Sequence, residues 1–423
     1  MITLLALAAS AIAQPQQATP AQPPLDWRTL EAPLLTNHRQ LTSRDDFVRA
    51  GESYFSPDAK AIVFQAVPAP RGTAEPDPFF AMFVATFDGQ GLGPSLRVSP
   101  PGSANTCGWF HPSDPSTVLF ASTITPPADP EPSGYQRGTS RYRWAFPREM
   151  ELVTRRIPEG WREASSPAGG IPAVGDLFKP PVPIFERPNY DAECSYDPTG
   201  RFVLYAHIKD TPPDHDHATL GPPKPDADIA VFDTKTGKDY PLVVAPGYDG
   251  GPFFSPCGQW ITYRSDRRGN DELQIFLAKL AFTTADDGAR VPTGIELEFQ
   301  ITDNPHVNWC PFFHPAGDTI VYASSQAGHH NYEVFAIKID LPALAARATP
   351  GAASTVIADL PQRRITHADG ADVLPAFSPD GRLMIWCAQR GPKADADLRP
   401  SSQVWVADWN HDALWPDAAP LQP

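Results

Sequence analysis

One motif recurs six times along the chain, and this repeat limits the possible folds more than any other feature of the sequence. Each copy has an apolar stretch, a turn containing proline and a second stretch rich in β-branched or aromatic residues. The copies span 53–64, 108–120, 194–205, 252–263, 311–322 and 375–386. Proline fixes φ and a following glycine permits positive φ, so each copy predicts a β-hairpin with a tight turn.

Further strands complete each repeat. An alternating strand follows every hairpin after a variable loop, and short fourth strands follow several of them, at 97–99, 300–302 and 364–366. Four antiparallel strands repeated six times are typical of a β-propeller. The last repeat lacks a fourth strand after Trp409, whereas the strand-like segment 39–42 stands alone near the N-terminus. We therefore predict an all-β, six-bladed β-propeller whose sixth blade is closed by an N-terminal strand.

The remaining segments are short. Residues 1–13 are an apolar run that ends in Ala11-Ile12-Ala13, which is the small-x-small pattern of a signal peptide. Residues 14–37 are rich in proline and predict a disordered tether, 38–410 form the single propeller, and 411–423 are a C-terminal tail. This arrangement predicts a periplasmic or secreted protein.

Charge and composition exclude some functions. The net charge is −15 and no cluster of lysine and arginine is present, which argues against binding of nucleic acid. No stretch is long enough to predict a transmembrane segment. The five cysteines match no zinc motif, and most lie within apolar strand patterns, which predicts buried free thiols. We expect a monomer.

The turns also indicate a family. Ser378-Pro-Asp-Gly381 gives the full turn motif, and Ser56-Pro-Asp58 and Ser255-Pro-Cys-Gly258 each give it with one change. The repeats resemble the WD40-like (PD40) repeats of TolB-like six-bladed β-propellers. The resemblance covers about residues 38 to 410 and implies an extracytoplasmic propeller that is used for protein contacts.

A candidate site emerges when the repeats are aligned on the turn proline. Seven residues before that proline, five repeats carry aspartate or asparagine, and Glu193 lies close by. These residues should begin the innermost strands and surround the mouth of the channel. They are Asn105, Asp191, Asp249, Asn308 and Asp372. One hypothesis gives them local hydrogen bonds to the backbone. The other makes them a ligand-binding ring for Ca²⁺ or for a cationic group of a partner.

Several histidines are expected on the same face of the propeller. The weak candidates for a transition-metal site are His207, His215, His217, His329 and His330. Their spacing matches no named zinc motif. His111 and His314 precede turn prolines on the opposite face, and we interpret them as turn residues.

These features favour a binding protein over an enzyme. The chain has no Gly-x-Ser-x-Gly motif, which the hydrolase domain of prolyl-oligopeptidase-type peptidases requires. We therefore predict a scaffold that binds a protein, a peptide or a glycan on its upper face, without a catalytic residue. The alternative is a metal-assisted polysaccharide lyase or hydrolase with its site at the channel mouth, since some propellers of this kind resemble oligogalacturonate lyases that use histidine-bound metal.

Overall fold

A computed structural model describes residues 26–70, 72, 74–128, 134–135, 142–143, 146–158, 161–162, 180–210, 224–393, 397 and 399–416. Its strands form six main sheets, of four strands each except for one of five. Each sheet is a blade, and its innermost strand contains the apolar stretch that begins a sequence repeat. The predicted all-β, six-bladed propeller is confirmed.

The first three blades follow the order of the chain. Blade one contains β2 (Phe47–Phe55), β3 (Ala61–Pro68), β4 (Ala81–Thr86) and β5 (Leu96–Arg97). Blade two contains β6 (Asn105–His111), β7 (Asp114–Ser122), β10 (Glu151–Arg156) and β11 (Val182–Pro183), and a separate pair, β8 (Gly134–Tyr135) and β9 (Tyr142–Arg143), lies in its long loop. Blade three contains β12 (Asp191–Tyr196), β13 (Phe202–Ile208), β14 (Ala227–Asp233) and β15 (Lys238–Val243).

The last three blades are less regular. Blade four contains β16 (Asp249–Phe254), β17 (Trp260–Ser265), β18 (Gln274–Thr284), β19 (Arg290–Gln300) and the added strand β23 (Thr355–Val356). Blade five contains β20 (Asn308–Phe313), β21 (Thr319–Ser324), β22 (Glu333–Lys338) and β24 (Gln362–Arg364). Blade six contains β25 (Asp372–Phe377), β26 (Leu383–Ala388), β27 (Gln403–Trp409) and β1 (Leu35–Gln40). The described helices are α1 (Trp27–Glu31), a 3-10 turn (Ser325–Ala327) and α2 (Leu341–Ala346).

The N-terminal strand closes the ring as predicted. β1 pairs antiparallel with β27, so that Leu35 faces Trp409 and Gln40 faces Trp405. The strand begins at Leu35, earlier than the predicted segment 39–42. A bulge after Thr36, with a positive φ of 51° at Asn37, interrupts its alternation of side chains, which explains why the sequence pattern did not reveal its beginning.

The turns between the two inner strands have the chemistry that the sequence predicts. In blade six, Oγ of Ser378 donates to Asp380 at 2.6 Å and accepts from the backbone N–H of Leu383 at 3.0 Å. Gly381 has a positive φ of 70°, which its lack of a Cβ permits. In blade one, Ala59 takes the same conformation with a φ of 55°.

One hairpin differs from its prediction. The outer strand of blade four, expected at 300–302, begins at Arg290 and forms a long hairpin with β18. The tight turn at 285–289 joins the two strands, and Lys235 and Arg201 of blade three both contact Asp287 there. The hairpin therefore extends below the blade and packs against its neighbour.

The core lies between adjacent blades. Its largest fully buried side chains include Trp386, Tyr205, Tyr263, Tyr322 and Phe64, which occupy equivalent places on the second strands. Stacked sheets of this kind bury both faces of every blade. No helix in the described part of the chain is long and apolar enough to cross a membrane.

Candidate functional site

Five innermost strands begin with the polar residues that the sequence predicts. These are the first residues of β6, β12, β16, β20 and β25, namely Asn105, Asp191, Asp249, Asn308 and Asp372. None of them exposes more than 4% of its surface. Buried polar groups need partners within the protein, so their contacts indicate what they do.

In blade four, Arg267 holds Asp249. Its Nη2 lies 3.1 Å from Oδ1 of Asp249, and its Nη1 lies 2.7 Å from Oε2 of Glu298 on the outermost strand of the antiparallel set. The hydroxyl of Tyr263 donates to the same glutamate. Burial raises the pKa of Asp249 to about 6, although the charge of Arg267 opposes that rise. The arginine thus connects inner and outer strands of one blade.

Blade six repeats this arrangement with a residue from the N-terminal segment. Arg390 donates to Asp372 at 2.9 Å and 2.6 Å, and to Glu31 at 2.9 Å and 2.7 Å. Its guanidinium lies over the rings of Trp27 and Trp386. Burial raises the pKa of Asp372. Burial acts in the same direction on Glu31, but hydrogen bonds from His38 and Arg390 outweigh it and lower the pKa of Glu31.

Blade three uses an arginine from a different position. Nε of Arg187 lies 2.9 Å from Oδ2 of Asp191, and its Nη1 lies 3.1 Å from Oδ2 of Asp239 on β15. Nδ1 of His207 lies 2.9 Å from Oδ1 of Asp191. Asp191 therefore lies between an arginine and a histidine, and its carboxylate is occupied on both oxygens.

The two asparagines bind nearby backbone. Nδ2 of Asn105 donates to the carbonyls of Phe80 and Ser103 at 2.9 Å and 2.8 Å. Nδ2 of Asn308 donates to the carbonyl of His306 at 3.1 Å. All five predicted residues thus have partners within the propeller. Their role as direct ligands stays a prediction.

A second ring of residues lies two positions further along the innermost strands, at β-bulges. In five blades the residue five before the turn proline has a positive φ of 45–58°. The ring consists of Glu52, Cys107, Glu193, Gly251, Cys310 and Leu374. Contacts between blades join its members, since Sγ of Cys107 lies 3.5 Å from Oε2 of Glu52 and the N–H of Leu374 donates to Sγ of Cys310 at 3.2 Å. We call it the bulge ring. Bulges are common where a strand must direct a side chain toward a site.

Glu193 is the predicted site residue that belongs to the bulge ring. Its carboxylate accepts hydrogen bonds from the hydroxyl of Tyr248 and the N–H of Gly251. Nη2 of Arg264 lies 3.1 Å from both of its oxygens and 3.0 Å from the hydroxyl of Tyr248. This ion pair joins blades three and four at the channel. No sequence pattern marks Arg264, which lies one residue before the end of the second strand of blade four.

Glu52 is the other carboxyl of the bulge ring. Its Oε1 accepts a hydrogen bond from the hydroxyl of Tyr54 at 2.9 Å, and Oγ1 of Thr106 lies 3.3 Å from its Oε2. Burial raises the pKa of Glu52, and the charge of Glu193 adds to the rise. Burial also raises the pKa of the adjacent thiol of Cys107 well above its usual value. This side of the ring therefore favours neutral side chains.

Aromatic side chains fill the axis below the bulge ring. They come from the residue three before the turn proline in four blades: Tyr54, Trp109, Phe253 and Phe312. The ring centroid of Tyr54 lies 4.7 Å from that of Trp109, 5.6 Å from that of Phe253 and 6.0 Å from that of Phe312. Blades one and four are opposite each other in a six-bladed ring, so these contacts cross the axis. We call these four residues the aromatic plug.

The predicted histidines do not come together in the described part of the chain. His207 binds Asp191, whereas His329 and His330 are exposed near the 3-10 turn. His215 and His217 lie outside the described residues. Whether any of these histidines binds a metal stays a prediction.

Among the described residues, one set of three possible metal ligands lies close together, at His314, Asp318 and His411. The two imidazoles stack with their centroids 3.8 Å apart and their planes within 2° of parallel. A metal ion binds an imidazole nitrogen in the plane of the ring, so a single ion does not fit both rings as they stand. Nε2 of His411 lies 3.1 Å from Asp318, and Nδ1 of His314 accepts from the N–H of Ala316 at 3.2 Å. The set connects the turn of blade five, where His314 was expected, to the residues after β27.

All five cysteines are free thiols in the structure. Cys107, Cys194, Cys310 and Cys387 are buried, as the strand patterns predict, whereas Cys257 is exposed. Burial raises the pKa of Cys310 and of Cys387 to about 12. The buried thiols therefore remain protonated at neutral pH.

The chain matches no known family profile. It is 32% identical to an uncharacterized protein of Agrobacterium fabrum over 100 residues, which are 24% of this chain and 29% of that protein. The chain thus matches less than a third of the length of this curated relative.

TolB proteins are among the solved structures that the chain resembles. A TolB from Acinetobacter baumannii matches at a TM-score of 0.44 and 13% identity, over 86% of this chain and 64% of that one. A protein of unknown function from Dyadobacter fermentans matches at 0.48 and 13%, over 89% of this chain and 99% of that one. These likenesses concern the fold, whose six blades are evident from the strand order itself.

Proposed function

We propose that this protein is an extracytoplasmic binding scaffold that holds a protein, peptide or glycan partner at the upper end of its channel. The upper end is where the innermost strands begin. The observation that carries the proposal is the charged cluster of Glu193, Arg264 and Tyr248 at a channel whose axis is filled by the aromatic plug.

The geometry supports binding of an end group or a protruding side chain. A channel filled across its axis does not let a chain thread through, but it provides a floor against which a small group can rest. The loops that join consecutive blades end next to this site, so six blades can contribute to one contact surface. A rigid ring holds this contact surface in place before binding, which lowers the entropic cost of ordering the surface when a partner binds.

The test compares partner capture by two variants. The double variant Glu193→Gln with Arg264→Met removes both charges at once and leaves no unpaired buried charge. Immobilised protein is exposed to envelope extract, and retained molecules are identified by mass spectrometry. We expect the double variant to lose a partner that the native protein retains, whereas Arg201→Lys, which alters an ion pair with Asp233 on the lower face, should retain it. Equal retention by all three proteins would remove the channel mouth as the site.

The extracytoplasmic location has its own test. Residues 1–13 predict export, so the full chain should be found in the periplasm or the medium, and a chain that lacks those residues should stay in the cytoplasm. Cell fractionation distinguishes the two outcomes.

A metal-assisted polysaccharide lyase or hydrolase is the second candidate. The pair of His207 and Asp191 favours it, because a buried carboxylate that fixes an imidazole is common in general bases and in metal ligands. Elemental analysis of the purified protein tests this candidate. A stoichiometric transition metal together with cleavage of an acidic polysaccharide that His207→Ala abolishes would favour catalysis over binding.

A further inference from the structure

The guanidinium of Arg264 occupies space that a side chain at Gly251 would otherwise fill. A Cβ built on Gly251 would lie 2.0 Å from Nη1 of Arg264. A Cβ on Gly250 would likewise lie 2.6 Å from Oε2 of Glu193 and 2.6 Å from the hydroxyl of Tyr248. Gly251 is the one glycine of the bulge ring. Blade four therefore leaves a recess in that ring, and the recess is filled by a cation.

The internal contacts of Arg264 use only part of its hydrogen-bonding capacity. Nη2 makes the bonds to Glu193 and Tyr248. Within the described part of the chain, neither Nε nor Nη1 has an acceptor. Neither nitrogen is fully buried, so both can be reached by solvent. The side chain keeps 14% of its surface exposed, compared with 5% for Glu193. The N–H groups of Nε and Nη1 thus remain as donors of charge-assisted hydrogen bonds to a carboxylate.

The charges of the cluster favour an anion over a cation. The carboxylate of Glu193 is occupied by Tyr248, Gly251 and Arg264, so it offers little to an incoming ammonium group. Burial raises the pKa of Glu52, which weakens its attraction for a cation. The ion pair of Arg264 and Glu193 is neutral as a whole, and its unused hydrogen-bonding groups are donors.

We propose that the upper end of the channel binds a carboxylate through the free N–H donors of Arg264, with the aromatic plug as the floor that limits how deeply the group enters. The inference rests on the proposed function, because it names the chemical group that the scaffold recognises. The same chemistry is offered by the C-terminal carboxylate of a peptide and by the carboxylate of an acidic sugar.

The test measures affinity for two pairs of probes by calorimetry. One pair is a tripeptide with a free C-terminus and its C-terminal amide, and the other is digalacturonic acid and its methyl ester. We expect one free acid to bind at least about tenfold more tightly than its neutral counterpart. The pair that shows the difference identifies the source of the carboxylate. Equal binding of acid and neutral probe in both pairs, or tighter binding of the neutral probe, would overturn the proposal.

Two variants assign the effect to Arg264. Arg264→Lys keeps the charge but lacks the Nε and Nη1 donors of the guanidinium, so affinity for the free acid should fall at least about tenfold. Arg201→Lys, which changes an arginine that binds Asp233 on the lower face, should bind the acid as the native protein does. If Arg264→Lys does not fold, Glu52→Gln provides the second measurement. Native affinity for the acid should fall as pH rises and Glu52 ionises, and Glu52→Gln should remove that fall.

Other titratable and charged groups face Glu52 from its own strand and from the other five blades, and the pH profile must be compared with theirs. They are Tyr54, Cys107, Glu193, Cys194, Arg264, Cys310 and Cys387. A pH profile that is the same in native protein and Glu52→Gln would assign the effect to one of these and contradict the role of Glu52. If the native protein captures a partner but binds neither carboxylate probe, this inference alone is refuted. If the native protein does neither, the proposed scaffold function is refuted as well.

Discussion

At the scale of single residues, the channel site depends on two adjacent glycines. Gly250 and Gly251 lie in the bulge of β16, and both leave room that other side chains of the site occupy. A bulge needs one residue with unusual backbone angles, and glycine meets that need without strain. At the equivalent positions, Cys107, Glu193 and Cys310 adopt positive φ in spite of a Cβ. Glycine at position 251 is therefore explained by the space that it leaves for Arg264 more than by its φ.

This explanation predicts the effect of Gly251→Ala. The added methyl group would meet Arg264 and displace it, so we expect a loss of about 2–4 kcal/mol in the free energy of unfolding and weaker binding at the channel. Gly237→Ala is the matched control, because Gly237 also has a positive φ, of 69°, but a Cβ there would meet nothing within 4 Å. Denaturant unfolding compares the two. An equal loss in both variants would mean that backbone strain alone determines the cost.

The sequence predicts which residues begin the innermost strands but not what they bind. Alignment on the turn proline finds Asp249 and Asp372, because the turn has a fixed length in those repeats. Their partners Arg267 and Arg390 each lie after the second strand of a blade. Each arginine also contacts a second acid, and these acids come from unrelated parts of the chain, namely Glu298 on β19 and Glu31 before β1. Such contacts depend on tertiary packing, which a linear pattern does not contain. The bulge ring is similar, since its residues share a conformation and not a residue type.

At the scale of elements, α1 and β1 act as one unit that joins the chain ends. β1 completes the hydrogen bonding of β27, and Glu31 at the end of α1 supplies the second acid of Arg390. His38 lies 2.8 Å from the same glutamate. Without this unit, Arg390 would keep only Asp372, and β27 would become an exposed edge strand, which is prone to pairing with other chains.

Removal of this unit should therefore destabilise blade six. We expect a chain that begins at residue 43 to lose at least about 3 kcal/mol in the free energy of unfolding and to form oligomers through β27. Thermal unfolding and size-exclusion chromatography measure both effects. A chain that begins at residue 26 is the control and should behave as the full chain does. A peptide of residues 26–42, added in trans, should restore the monomer, and its failure to do so would show that the edge of β27 is not the cause.

At the scale of the whole molecule, buried carboxyl groups determine how stability depends on pH. Burial, together with the charge of Asp372, raises the pKa of Glu333 to about 8, and burial raises the pKa of Glu151 to about 7. Between its ordinary pKa and the raised value, each group binds a proton in the folded state and none in the unfolded chain. The free energy of unfolding therefore falls as pH rises through this range. His314 acts in the opposite direction, because burial lowers its pKa to about 4, but its contribution is complete above about pH 6.5.

The window from pH 6.5 to pH 8 thus isolates the carboxyl groups. We expect the free energy of unfolding to fall by about 1–2 kcal/mol across it, and Glu333→Gln to reduce this fall even if the variant is less stable at every pH. Glu296→Gln, which changes a carboxylate that is half exposed, is the control and should keep the native slope. Denaturant unfolding at several pH values provides the measurement. A free energy of unfolding that rises across this window would contradict the assignment.

The closure of blade six also determines when the ring can form. A hydrogen bond between the N–H of Val404 and Oγ1 of Thr42 joins residues that are 362 positions apart. Synthesis makes β1 first and its partner strand last, so the first strand must wait, unpaired, until almost the whole chain has been translated. Blades one to five can assemble in the meantime from neighbouring segments, because their strands are close in sequence. The final pairing then acts as a check on completeness. A chain that stops before Gln403 lacks the strand with which β1 must pair. Such a chain keeps unpaired strand edges, and quality-control proteases and chaperones recognise unfinished proteins by edges of this kind.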